Sequence, residues 1–238
     1  MRSLIAAIAM LVAGPAAAGD TAELGILGFS ADGAIFAFEE YGIQDGSGFA
    51  YANRYYIETA TDRFVTGTPI RVLSEEQDAS IADARAKARL QGADIVDEDE
   101  LAANRGFTAG ANAVTEISAD PLAMEVNPRP VFPPIDPPLA IRLEEIAFEV
   151  PENCAFAAER HVGFRLLKVS HEGGVATELL HEDESVPASR SCPLGYRIGA
   201  VQTFFPEGGE PVFVVLIAVR RVGFEGPDHR WIAVPGKL

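Results

Sequence analysis

Apolar residues come in short runs broken by Gly, Asp and Asn, not at the three-and-four spacing of an amphipathic helix. Residues 23–29, 34–41, 51–59 and 64–73 are rich in aromatic and β-branched side chains with turn residues between them, the pattern of strands joined by tight turns. Asp32-Gly33 suits a hairpin, because glycine takes a positive φ at no steric cost. A four-stranded antiparallel unit is expected over residues 22–74.

The pattern changes at Ser74-Glu75-Glu76-Gln77, a capping-box sequence predicting a helix over about 75–91, with Gly92 as its left-handed stop. Asp83 and Lys87 are spaced for an ion pair along it. A second short helix is expected over 98–104, capped by Asp97 with Glu100 three positions on. Seven of the sixteen prolines then fall within residues 121–138. Lacking an amide donor, that stretch cannot be helix or central strand and reads as an extended connector or strap. Apolar runs resume at 139–150, 162–170, 175–181, 196–205, 212–221 and 231–234, with Glu172-Gly173-Gly174 and Glu207-Gly208-Gly209 as turns. The continuous run 212–219 belongs at the centre of a sheet, covered on both faces. The expected fold is mainly β (α+β). It divides into an N-terminal β unit with a helical insertion over 19–119, a Pro-rich connector over 120–138 and a second antiparallel unit over 139–238.

Residues 1–18 have a charged start, an apolar run from Leu4 to Ala13, and Ala16-Ala17-Ala18 after Gly14-Pro15, the plan of a cleaved secretory signal peptide. That run is roughly half the ~20 residues a spanning helix needs, so no stable membrane insertion is expected after cleavage, and the localisation is periplasmic or secreted. Losing Arg2 takes the formal net charge of −16 to −17. This acidic balance disfavours nucleic acid and anionic membrane surfaces, which draw on clustered Lys and Arg. Residues 75–100 hold nine acids and three bases. Only two cysteines occur, Cys154 and Cys192, and in an oxidising compartment the pair is expected to form a disulfide.

The segment Phe29-Ser30-Ala31-Asp32-Gly33, continuing through Phe36-Ala37-Phe38-Glu39, resembles one blade of a TolB-like β-propeller, with Ala31 where that motif has proline. It occurs once, whereas a closed propeller repeats its period. Three longer strings, GFSADGAIFAFEEYGIQDGSGFAYANRYYIETATDRFVTGTPIRV, HEDESVPASRSCPLGYRI and GFEGPDHRWIAVP, resemble the bacterial family of predicted secreted proteins known as domain of unknown function 2259. The resemblance implies export and assigns no residue a role.

The candidate chemistry is sparse. The loop from Glu39 to Gly48 gathers Glu39, Glu40, Asp45 and Ser47 with three glycines, and acidic Gly-rich loops can wrap calcium, although the EF-hand spacing is absent. The turn Glu225-Gly226-Pro227-Asp228-His229-Arg230 brings an acid, an imidazole and a guanidinium together. Neighbouring strand residues point to opposite faces, so Asp228 and His229 are poorly placed to bond each other. Glu39, Glu40, Asp45, Asp228 and His229 are the catalytic candidates. Asp45, Ser47, Tyr51, Arg190, Glu225 and Arg230 are the binding candidates. The even spacing of His161, His171 and His181 brings no convergence on a hairpin. No zinc, P-loop or esterase motif occurs, so no cofactor or resident metal is expected. The leading expectation is a non-catalytic binding module for an envelope protein or small ligand. An envelope hydrolase with a carboxylate and His site between the two units, and a calcium-stabilised module, are the alternatives.

Overall fold

The computed structural model describes residues 19–76, 78–170 and 176–238; the leader, Gln77 and the expected Glu172-Gly173-Gly174 turn with His171 lie outside that set. The chain is mainly β, as expected, and its strands form antiparallel sheets. In the first, β1 (Glu23–Phe29), β2 (Ile35–Ile43) and β3 (Ala50–Glu58) run up and down, and both β4 (Arg63–Phe64) and β5 (Ile70–Ser74) pair with β3. The β1–β2 turn is made by Asp32-Gly33. Gly33 has φ +75°, while the Asp32 carboxylate accepts from the Ser30 hydroxyl at 2.6 Å and the Ala34 amide at 3.0 Å.

Two helices cover one face of this sheet, α1 (Ile81–Gly92) and α2 (Glu98–Ala103). The first begins six residues later than its sequence suggests. Ser74 stays in β5 opposite Ala50, so the sheet already holds its backbone. The capping box forms instead at Ser80, whose hydroxyl accepts the Asp83 amide while the Asp83 carboxylate accepts the Ser80 amide. Asp83 is thus committed to the cap, and Lys87 lies 3.8 Å from Glu76. Gly92 is no left-handed stop either: it is the last helical residue, and Ala93 after it is right-handed at φ −61°. Its lack of a side chain serves close packing, since a Cβ there would sit 2.4 Å from the Tyr56 hydroxyl oxygen. α2 starts as expected, with Asp97 accepting the Asp99 and Glu100 amides.

The remaining strands are interleaved. After β6 (Phe107–Ala111) the chain builds a complete up-and-down sheet from β7 (Ala123–Val126), β8 (Leu139–Phe148), β9 (His161–Val169) and β10 (Glu178–Glu182). It then returns with β11 (Pro193–Phe204), β12 (Val212–Arg221) and β13 (Asp228–Lys237), and β11 pairs with β6. The sheet β6-β11-β12-β13 therefore has the whole of another sheet inserted between its first two strands. β7 lies inside the Pro-rich stretch, at a sheet edge where prolines on either side are tolerated.

The sheet containing β12 is the middle layer. Val212, Val214, Leu216 and Ala218 pack against Phe29, Phe36, Phe38, Tyr51 and Tyr55 of the first sheet. Phe213, Val215, Ile217 and Val219 pack against Leu139, Ile141, Leu143, Phe164 and Leu166 of the sheet β7-β8-β9-β10. Strand alternation sends successive residues to opposite cores, which is why this run is apolar without a break. Residues 20–22 fasten the first sheet to the middle one by a parallel bridge between Thr21 and His229; the His229 amide donates to the Asp20 carbonyl at 2.8 Å. Cys154 and Cys192 are joined by a disulfide that ties the β8–β9 loop to the chain just before β11. Among the described residues no helix is long and apolar enough to cross a membrane.

Candidate functional site

Glu39 and Glu40 are neighbours on β2 and so face opposite ways. Glu39 lies on the helical side, where Arg54 approaches to 3.5 Å and the Arg85 guanidinium bonds it. Arg54 in turn makes a two-pronged contact with Glu98 at the start of α2. Glu40 points towards β13. One of its oxygens accepts from Asn53 at 3.0 Å and from the Tyr55 hydroxyl at 2.7 Å, and the other accepts the Trp231 amide at 2.7 Å. The two candidate carboxylates therefore do not converge, and both are occupied.

Beside Glu40 opens a cavity of about 240 Å³. Asn53, Tyr55, Phe64 and Arg71 of the first sheet form one wall, and Arg221 and Arg230 of β12 and β13 form another. Arg190, from the 3-10 turn Ala188–Arg190, closes a third side. Four guanidinium groups thus meet one carboxylate in a chain whose net charge is −16.

The counter-ions stand behind these arginines. Arg190 bonds Asp183, which also accepts the Phe164 amide at 2.9 Å, and it lies over the Phe164 ring. Arg230 bonds Asp20 at 2.6 Å, lies 3.5 Å from Asp228 and stacks on Tyr51, whose hydroxyl donates to Asp20. Burial pushes the Asp20 carboxyl above its ordinary range against the pull of Arg230. Arg221 is less well answered. Its nearest carboxylate is Asp228 at 3.7 Å, and burial followed by the charge of Arg230 holds its pKa below the usual guanidinium value. Arg71 has no ion partner among the described residues.

The other sequence candidates lie nearby without forming a reacting constellation. The Asp45 carboxylate accepts the Glu225 amide at 2.8 Å, so the Gly-rich loop and the C-terminal turn touch. Ser47 is turned into its own loop, bonding Gln44 and Phe49. Asp228 accepts the Asp20 amide at 3.0 Å. Burial, then Arg220 and Arg197, lower the His229 pKa and favour its neutral form. Among the described residues no three His, Cys, Asp or Glu side chains group closely enough to hold a metal. Arg71 and Arg221 escaped the sequence reading because each ends or interrupts an apolar strand and looks like an ordinary solvated edge. The misfit of Arg220-Arg221 after eight apolar residues is the signal that could have pointed to them.

His181 on β10 bridges layers. Its ring stacks on Phe164 at 4.7 Å, meets Asp183 at 3.0 Å and lies 3.6 Å from Asp62 in the β3–β4 turn. Burial alone would lower its pKa. The bonds to Asp183 and Asp62 outweigh that and raise it to about 9.

A larger hollow of about 600 Å³ lies beneath the Pro-rich stretch, bordered by Pro137, Pro138, Phe205 and Leu238. Four of its charged side chains already answer one another or the backbone: Arg129 faces Asp136 at 2.9 Å, and Lys168 lies 3.6 Å from Glu178 and donates to the Lys237 carbonyl. The arginine-lined cavity is therefore the better candidate.

Fold and site together define a disulfide-bonded, layered β protein with a basic cavity between sheets. A family model described as Predicted secreted protein (DUF2259) matches residues 37–237, and the chain belongs to that family. The matched span carries nearly every strand and the four cavity arginines, so fold and cavity lie within the family's defining region. No curated protein and no solved structure matches the chain.

Proposed function

We propose that this exported protein is a non-catalytic binding module of the periplasm or the cell exterior, and that its ligand enters the arginine-lined cavity. One observation carries the reading: Glu40, the only carboxylate in the wall among the described residues, has both oxygens committed to Asn53, Tyr55 and Trp231. A general base must be free to take a proton from the substrate, whereas a carboxylate already holding three donors positions its neighbours. The guanidinium forks around it present donors without proton chemistry. The resemblance of residues 29–39 to a propeller blade belongs to the same reading, since rigid scaffolds of that kind hold binding loops in place.

An envelope hydrolase is the second reading, favoured by the contact between Asp45 and the Glu225 amide that draws the two polar loops together. Thermal denaturation with a panel of small polar molecules separates binding at the cavity from chemistry at those loops. At least one compound should raise the Tm saturably without being consumed. The exposed Ser189 lines the cavity, and Ser189→Trp should abolish the shift. A panel with no shift, or a shift indifferent to Ser189→Trp, would refute the cavity as the binding site.

A further inference from the structure

From the cavity's charge and shape we infer that its ligand is a small organic anion, held through a carboxylate or phosphate group by Arg71 and Arg221. This rests on the binding reading above and names the chemistry of that site. The four guanidinium groups of the wall differ in what already answers them. Arg190 and Arg230 bond directly to Asp183 and Asp20 and are anchored by rings. Arg71, exposed, has no ion partner among the described residues, and Arg221 is 3.7 Å from its nearest acid. Both guanidinium groups act electrostatically on the Tyr55 hydroxyl, which is committed to Glu40. The open positive charge thus converges at one place, beside a carboxylate that already accepts three hydrogen bonds.

Planar forks of this kind match carboxylate and phosphate oxygens two at a time. In a strongly acidic protein, such a charge-reversed spot also selects against cations, which the rest of the surface attracts. A volume of about 240 Å³ is below the ~300–1,000 Å³ of drug-sized sites, so the occupant is small. The rings of Tyr55 and Phe64, with centroids 6.0 Å apart, and the side chain of Ile232 give the anion an apolar wall to lie against. A compact body carrying one oxyanion group fits both features.

Isothermal titration of the signal-processed, disulfide-bonded protein at low salt tests this with benzoate, phenyl phosphate and the neutral benzamide. At least one of the two anions should bind at least tenfold tighter than benzamide, and the tighter of them identifies the oxyanion. Arg71→Gln should weaken that binding about tenfold, as expected for losing one charged hydrogen bond. Arg221→Lys, which keeps the charge and loses the fork, should weaken it less than Arg221→Gln. If benzamide binds as well as the anions and the variants change nothing, the anion inference fails while the cavity-binding reading survives. If none of the three probes binds, the anion inference fails as well, and the compound panel with Ser189→Trp decides separately whether the cavity binds anything.

Discussion

Glu39 and Arg54 each have a side chain only 3 % exposed, and both are shared: Glu39 with Arg85, and Arg54 with Glu98 and the Tyr56 hydroxyl. Removing one partner of a buried ion pair leaves the other charge uncompensated, at a cost of about 3–5 kcal/mol. Arg54→Met should lower the urea unfolding free energy by about that much at most, since Arg85 still answers Glu39, and the double variant with Glu39→Gln should be less damaged than the sum of the singles because their mutual contact is lost only once. A double variant as damaged as the sum of the singles would contradict this. His181 makes the second case. Its folded pKa of about 9 lies above the ordinary 6.5, so the folded state holds the proton more tightly. The stabilisation is complete below pH 6.5 and is lost as pH climbs towards 9. With the ring partly exposed and screened, we expect about 1–2 kcal/mol. His181→Gln should flatten this part of the stability curve, and ring-carbon NMR shifts should titrate well above pH 7.

Gly92 tests how an element is shaped by what it packs on. In most helices Gly→Ala adds about 1 kcal/mol of stability. Here the new methyl would meet the Tyr56 oxygen at 2.4 Å and Ile70 at 3.1 Å, and Tyr56 is fully buried. Gly92→Ala should therefore lower the Tm, and Tyr56→Phe in that background should recover part of the loss. A rise in Tm on the single substitution would show that α1 can shift off the sheet. The same helix marks where the sequence was and was not legible. The Asp97 cap, the Asp32-Gly33 turn and the unbroken run of β12 are local signals, and each appears where the residues placed it. Ser74 heads a plausible capping box, and only the pairing of β5 with β3 shows that it stays in the strand while the helix is capped at Ser80. Strands β6 and β7, Phe-Thr-Ala-Gly-Ala and Ala-Met-Glu-Val, are too small or too Pro-flanked to announce themselves. The carboxylates of the site were visible as residues; the arginines that define it are brought together by partners far along the chain.

The interleaving of sheets carries a consequence for how the molecule unfolds. The middle sheet draws β6 from the first half and β11–β13 from the second, and its two faces supply one side of both cores between sheets. Without it the first sheet would expose Phe29, Phe36, Phe38 and Tyr55, and the sheet β7-β8-β9-β10 would expose Phe164 and Leu166. Neither could offset the chain entropy of ordering it. The disulfide adds about 4 kcal/mol in the chain-entropy model for its 38-residue separation, but it ties the sheet β7-β8-β9-β10 to the middle one and does not reach the first sheet. Fragment 19–119, which lacks β11–β13, should have no fixed tertiary structure when expressed apart, and the intact chain should unfold in one cooperative step. Trp231, the only tryptophan, sits buried in the core between the first and middle sheets. Its fluorescence and the far-ultraviolet circular dichroism should therefore trace the same urea curve. Two separated transitions, or a folded 19–119 fragment, would mean that the first sheet is stabilised by its helices alone and that the middle sheet is not the common support of the fold.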